Sequence, residues 1–239
     1  HTERRKVITD VLSPKALRPQ AETIDARARA LAQRLAECGE FDAVTDFAHD
    51  LPIGVVMELV GWPHDIRPRL LAMADGSWNA AGPDNPRMRA GLDQLQAMMA
   101  LIAQIYDERR VLPGGFAEQL IGVAEAGHIS RETAIGMLAG YIVAAFETTI
   151  SAMAFGILLF ARNPDEWNKL RKNPRLATSA ANEIVRVESP IQNFARHTRR
   201  DAEMSDGSVI PQGSWAIVSY GSANHAERQF DKPDGLVID

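Results

Sequence analysis

The segment Ala144-Ala145-Phe146-Glu147-Thr148-Thr149 sets a carboxylic acid and two hydroxyls inside the most apolar run of the chain, Gly136 to Phe160. Polar groups in such surroundings are costly to bury without partners. Two readings fit. A threonine within a helix often bonds the carbonyl one turn earlier and bends the helix, which makes the segment a kinked core helix with a satisfied polar pocket. Alternatively, Glu147 and Thr148 form an acid–alcohol pair that delivers protons beside an oxygen ligand. A second pair, Glu183 and Arg186, is spaced i, i+3. On a solvated helix face such a pair contributes only ~0.2–0.5 kcal/mol, and in isolation it reads as a surface pair. His1 and Arg5 lie i, i+4 on one helix face, and Arg196 follows the break at Pro190. Together they could hold a dianion, because a guanidinium binds carboxylates bidentately; singly they read as unrelated surface residues.

Mostly helical elements must position these groups. Glu3 to Val11 reads as a basic helix stopped near Ser13-Pro14, since proline disfavours helix in the residue before it. Helices are expected over Glu22 to Glu37, Leu51 to Val60 and Ile66 to Trp78, with a loop at Ala80 to Pro86. Met88 to Arg110 reads as a long amphipathic helix with its apolar face at Leu92, Leu95, Met99, Ile102 and Ile105. Ala117 to Glu125 follows. Ser130 is a fitting N-cap for a long central helix that ends at Asn163-Pro164. Shorter helices are expected at Asp165 to Arg171 and Ala177 to Glu188. After Pro190 the pattern turns to short strands: Asp206-Gly207 is a hairpin turn between strands near Glu203 and Val209, and Trp215 to Tyr220 alternates as a strand does. No linker or internal repeat interrupts the chain, so residues 1–239 read as a single domain.

Composition narrows the function. The chain has 239 residues, 46% of them hydrophobic, and a formal net charge of −5, which disfavours nucleic acid as a partner. Its one cysteine, Cys38, allows neither a disulfide framework nor a cysteine-rich metal site and fits a reducing cytoplasm. The run Gly136 to Phe160 is long enough to span a bilayer. Glu147 near its middle would cost roughly 2.5 kcal/mol or more there, so the expectation is a long buried helix of a soluble protein with no membrane partner. There is no Gly-x-x-x-x-Gly-Lys phosphate loop, no Gly-x-Ser-x-Gly elbow and no Asp-Asp-x-x-Asp run.

Taken in order, the chain gives His1-Thr2-Glu3-Arg4-Arg5, Leu12-Ser13-Pro14, Ala144 to Thr149, Asn163-Pro164, Glu183-Ile184-Val185-Arg186, Glu188-Ser189-Pro190, Arg196, Ile210-Pro211-Gln212-Gly213, Ser222-Ala223-Asn224 and Phe230-Asp231-Lys232-Pro233-Asp234. That ordered set resembles the cytochrome P450 family from its C helix to the meander loop, over essentially the whole chain. The resemblance implies a mainly α fold with a long central helix and a small β-rich segment near the C-terminus, here incomplete. It implies heme b (iron protoporphyrin IX), with His1, Arg5 and Arg196 on the propionates and Ala144 and Ala145 lining the oxygen groove. Thr148 would hydrogen-bond the dioxygen, Glu147 would relay protons, and Glu183 and Arg186 would be a structural pair behind the haem. Val143, Phe146, Gln192, Asn193 and Phe194 would line a substrate pocket, which Trp78 could cap. The activity implied is insertion of one oxygen atom from O2 into a C–H bond of a small hydrophobic substrate, aromatic ones included. Electrons would come from NAD(P)H through a ferredoxin or flavodoxin-type donor and its reductase, docking on a basic surface at Arg4, Lys6 and Lys15.

The sequence also departs from the family pattern. The axial cysteine is expected beyond Asp239, so the chain reads as a fragment. Ala145 stands for a glycine, His225-Ala226-Glu227 for Arg-Asp-Pro, and Gly235 for an arginine that often completes the Glu/Arg network. A non-catalytic helical binding protein that lacks the thiolate is the alternative reading.

Overall fold

The computed structural model describes Thr9 and residues 13–239, apart from the side chains of Pro14 and Ala16. The expected helix at Glu3 to Val11 lies outside the described residues except for Thr9, which is helical.

Apolar spacing builds the first unit, which runs up to Ile150. A short helix α1 (Pro14–Leu17) starts at the proline expected to stop one; proline is tolerated in a first turn, where its missing N–H is not needed. Helix α2 (Gln20–Cys38) buries Leu31 and Leu35. The Asp42 carboxylate then accepts from the backbone N–H groups of Val44 and Thr45 and starts a π-helical turn at Ala43–Ala48, an element the sequence pattern did not suggest. Helix α3 (Asp50–Val60) buries Ile53, Val56, Met57 and Val60, at i, i+3, i+4 and i+7. Each such side chain contributes about 1.5–3 kcal/mol of transfer free energy. Gly61 ends α3 in the left-handed region, at φ 83°. A Cβ on Gly61 would sit 2.9 Å from the Leu112 carbonyl oxygen, and one on Gly115 would sit 2.7 Å from the Gly61 Cα. Only hydrogen fits on both sides of that crossing.

Helices α4 (Arg67–Asn79) and α5 (Pro86–Asp107) come next. The Asn85 side chain caps α5 by accepting from Met88 N–H. The buried stripe of α5 is Gly91, Met98, Leu101, Ile102 and Ile105. That corrects the expected face: Leu92 is exposed and Met99 only half-buried, because Gly91 fixes the close contact with α4. Helix α6 (Phe116–Glu125) and the long helix α7 (Arg131–Arg162) follow. Ser130 caps α7 as expected, its Oγ accepting from Thr133 N–H at 3.1 Å. Ala134, Leu138, Ile142, Phe146 and Ile150 form a buried stripe at four-residue spacing along α7.

The boundary to the second unit falls within α7, between Ile150 and Ser151. This unit continues through α8 (Pro164–Lys172) and α9 (Ala177–Glu188). Ser189, at φ 42°, closes α9, and Pro190 prevents its continuation. Strand β1 (Asn193–His197) pairs antiparallel with β4 (Trp215–Ser219), Asn193 opposite Ser219 and His197 opposite Trp215. Between them the β2 (Ala202–Glu203) and β3 (Val209–Ile210) hairpin turns at Gly207, φ 82°, as Asp206-Gly207 suggests. A short helix α10 (Tyr220–Asn224) leads into the final segment. Leu236 and Ile238 from that segment pack with Leu159 and Ala180 as the core of the unit.

Candidate functional site

On α7, Thr148 donates its hydroxyl to the Ala144 carbonyl at 2.7 Å. This is the back-bond expected of a helical threonine. Glu147 beside it is half-buried and has no hydrogen-bond or ion-pair partner among the described residues. Burial first, and then the negative charge of Asp75 on α4, push its carboxyl above the usual carboxylate range. The picture of a fully satisfied polar pocket therefore holds for Thr148 and fails for Glu147.

Ala144 is exposed, and Val143 and Ala145 are half-buried. Phe146, expected on a substrate pocket, is instead 0% exposed and belongs to the buried stripe of α7, so it faces no opening. The expectation of a long buried helix is also corrected. Helix α7 is long and apolar enough to cross a membrane by length and composition, yet only 28% of its most apolar window is buried. Its exposed positions include the small residues Gly136, Gly140 and Ala144, and half-buried Glu147 lies close by in sequence. Trp78, at the end of α4, is half-buried with its indole N–H enclosed and unpartnered.

The second unit is organised around Arg186. Its Nε and Nη2 donate to the two Glu183 oxygens, both at 2.8 Å. Its remaining donors reach the carbonyls of Asn224 (2.8 Å), Pro233 (2.6 Å) and Gly235 (2.7 Å). Glu183 Oε1 also accepts from Val237 N–H at 3.0 Å. The guanidinium lies 4.6 Å from the Phe230 ring centroid. Arg186 is only 9% exposed, so the surface-pair reading is wrong. The hydrogen bonds from Arg186 hold the Glu183 carboxyl well below the usual carboxylate range. Gly235 has no side chain for the network, but its carbonyl closes it.

Arg196 is exposed on β1. It donates to the Ala195 carbonyl at 3.0 Å, reaches the Tyr220 hydroxyl at 3.4 Å and lies 5.4 Å from the Phe194 ring centroid. Most of its five donors have no partner among the described residues and could meet an anion. Gln192, Asn193 and Phe194 are exposed as well. His1 and Arg5, like Arg4 and Lys6, lie outside the described residues; Lys15 is exposed. Cys38, the last residue of α2, is an exposed free thiol. Among the described residues no group of three or more His, Cys, Asp or Glu could hold a metal ion. Strand β1 and the partners of Arg186 after Pro190 were not foreseen. They pair across 18 to 49 residues of sequence, and no local pattern marks them.

No protein-family model matches the chain. Curated proteins do. Cytochrome P450 CYP199A2 of Rhodopseudomonas palustris is 34% identical over 98% of this chain and 57% of its own length. A steroid C26-monooxygenase of Rhodococcus jostii is 32% identical over 100% of this chain and 50% of its own length. The linalool 8-monooxygenase of Pseudomonas putida is 30% identical, at 98% and 58%. The chain thus spans 50–58% of the length of these three relatives. Among solved structures, ligand-free CYP164A2 of Mycobacterium smegmatis superposes with a TM-score of 0.91 at 21% identity, covering all of this chain and 63% of the other.

Proposed function

We propose that the chain, 30–34% identical to cytochrome P450 and monooxygenase relatives over 98–100% of its length, supplies part of a haem monooxygenase of the cytochrome P450 family, one that inserts an oxygen atom from dioxygen into a C–H bond of a small apolar substrate. The observation that carries this reading is a half-buried Glu147 without a partner among the described residues, next to Thr148, on an apolar helix of which only 28% of the most apolar window is buried. Two relatives named for apolar substrates, a steroid and linalool, support an apolar substrate.

The residues fit a haem in part. The uncovered, small-residue face of α7 at Ala144 suits an apolar macrocycle, and the spare donors of Arg196 suit a propionate; His1 and Arg5 are assigned the same role. Cys38, exposed at the end of α2, is not suited to be the axial ligand, and the thiolate is assigned to a segment outside these 239 residues. When bound, the haem would activate dioxygen with electrons delivered from NAD(P)H through a ferredoxin or flavodoxin-type donor and its reductase in the cytoplasm.

The protein's own part is proton handling and positioning. The Thr148 hydroxyl, which donates to the Ala144 carbonyl, could turn to donate toward a group held on this side of α7 and accept a hydrogen bond in return. Glu147 is the neighbouring proton source. A carboxyl raised by burial stays protonated closer to neutral pH and donates more readily there. Val143 and Ala144 offer an apolar wall, and Gln192, Asn193 and Phe194 are assigned to substrate contact. Glu183 and Arg186 act by holding backbone, not by touching substrate.

Thr148→Ala tests the assignment. In protein supplied with haem and reductant, product per O2 consumed should fall by ~10-fold or more while O2 consumption continues, and Thr148→Ser should restore it. Unchanged coupling in the alanine variant would remove Thr148 from the chemistry.

A further inference from the structure

His225 stands just after α10, where both of its ring nitrogens meet oxygen. Nδ1 lies 2.7 Å from the Asp234 carboxylate and Nε2 lies 2.8 Å from the Val187 carbonyl. A carbonyl oxygen and an ionised carboxylate can only accept. A neutral imidazole carries one N–H and can satisfy one of them; only the imidazolium satisfies both. We propose that His225 is a proton-operated clasp that ties the loop between Asn224 and Gly235 to the end of α9 and fastens when the ring is protonated. The inference rests on this geometry alone and is independent of the haem reading.

The surroundings set the size and direction of the effect. Arg186 already pins both ends of the loop, through the Asn224, Pro233 and Gly235 carbonyls, and Leu236 and Ile238 beyond it are buried in the core. Losing the clasp therefore loosens residues 226–234 and leaves the core segment in place. Asp234 is 89% exposed and the His225 side chain 33% exposed, so the ion pair itself is weak. The bond to Val187 matters more because its acceptor would otherwise lie half-buried without that donor. Two charged groups act on the ring from its neighbours: Asp234 from the loop favours the imidazolium, and Arg186 from α9, itself paired with Glu183, opposes it. The hydrogen bonds to Asp234 and then to Val187 outweigh the cost of partial burial and that repulsion, and the ring titrates above its usual value. A group with a raised folded pKa stabilises fully below its unfolded pKa and loses that contribution as pH rises through the folded value. The clasp is therefore closed below about pH 6.5, the ordinary imidazole value, and opens as pH rises through the raised folded value.

The test combines side-chain NMR of His225 with backbone hydrogen exchange of residues 226–235 across pH 5 to 9, corrected for intrinsic exchange. The ring should titrate above the ordinary value, about 6.5. Protection of the loop should be about two- to five-fold greater at the acid end than at the alkaline end. Asp234→Asn removes an exposed carboxylate without disturbing the core; it should lower the His225 midpoint and shrink the pH dependence. His225→Arg, a permanent cation, should make protection independent of pH. A ring that titrates at or below the ordinary value, or a wild-type loop whose protection is flat across the range, would overturn the proposal.

Discussion

Arg186 shows how much one side chain can hold. It donates to two carboxylate oxygens and three backbone carbonyls at 9% exposure. Removing it leaves half-buried Glu183 without its counter-charge and three carbonyls without this donor. Arg186→Leu is expected to destabilise by about 3–5 kcal/mol, a large share of the ~5–15 kcal/mol typical of a domain; urea denaturation measures it, and a loss well under that range would mean solvent replaces the network. The same pair fixes an acid limb. Glu183 is held below its ordinary value by Arg186, so its contribution is present above about pH 4.3 and is lost as pH falls through the folded value. The wild-type urea midpoint should drop below about pH 4, and Glu183→Gln should flatten that limb. Glu147 has the opposite sign. Its carboxyl is raised by burial and by Asp75, so ionising it costs stability as pH rises, and Glu147→Gln should raise the Tm at neutral pH. An unchanged or lower Tm would mean that Glu147 has a partner in solution.

At the scale of elements, the α4–α5 pair turns on Gly91. A Cβ there would meet the Ala80 nitrogen at 2.6 Å and the Gly76 carbonyl at 2.7 Å, and backbone cannot step aside. Gly91→Ala should cost about 1–3 kcal/mol or more through overpacking. Gly122, exposed in α6 with nothing within 4 Å of an added Cβ, should gain about 0.5–1 kcal/mol on change to alanine. Thermal melts of the two variants should move in opposite directions. Gly91 also explains a limit of sequence reading. Apolar spacing located α5, but its rotation was set by a residue with no side chain, so Leu92 came out exposed and Met98 buried. Local chemistry was legible where it was self-contained: the Ser130 cap, the turn at Gly207, the end of α9 before Pro190. The π-helical turn at Ala43–Ala48 and the β1–β4 pairing were not, because one depends on a two-bond cap at Asp42 and the other on partners far along the chain. The pair Glu183–Arg186 was visible, yet its burial was not, since the carbonyls that bury it come from residues 224–235.

At the scale of the whole molecule, the chain is similar to cytochrome P450 and monooxygenase relatives over 98–100% of its length, while it spans 50–58% of theirs. The measurement that bears most directly on the central reading is a reduced, carbon-monoxide difference spectrum of the product of the parent gene, expressed with whatever coding sequence flanks these residues. A Soret band at the long wavelength typical of thiolate-ligated haem is the expected result, and it would support the haem-thiolate reading. A folded protein that binds no haem, or binds it without that band, would contradict the monooxygenase reading and leave the fold serving a binding role.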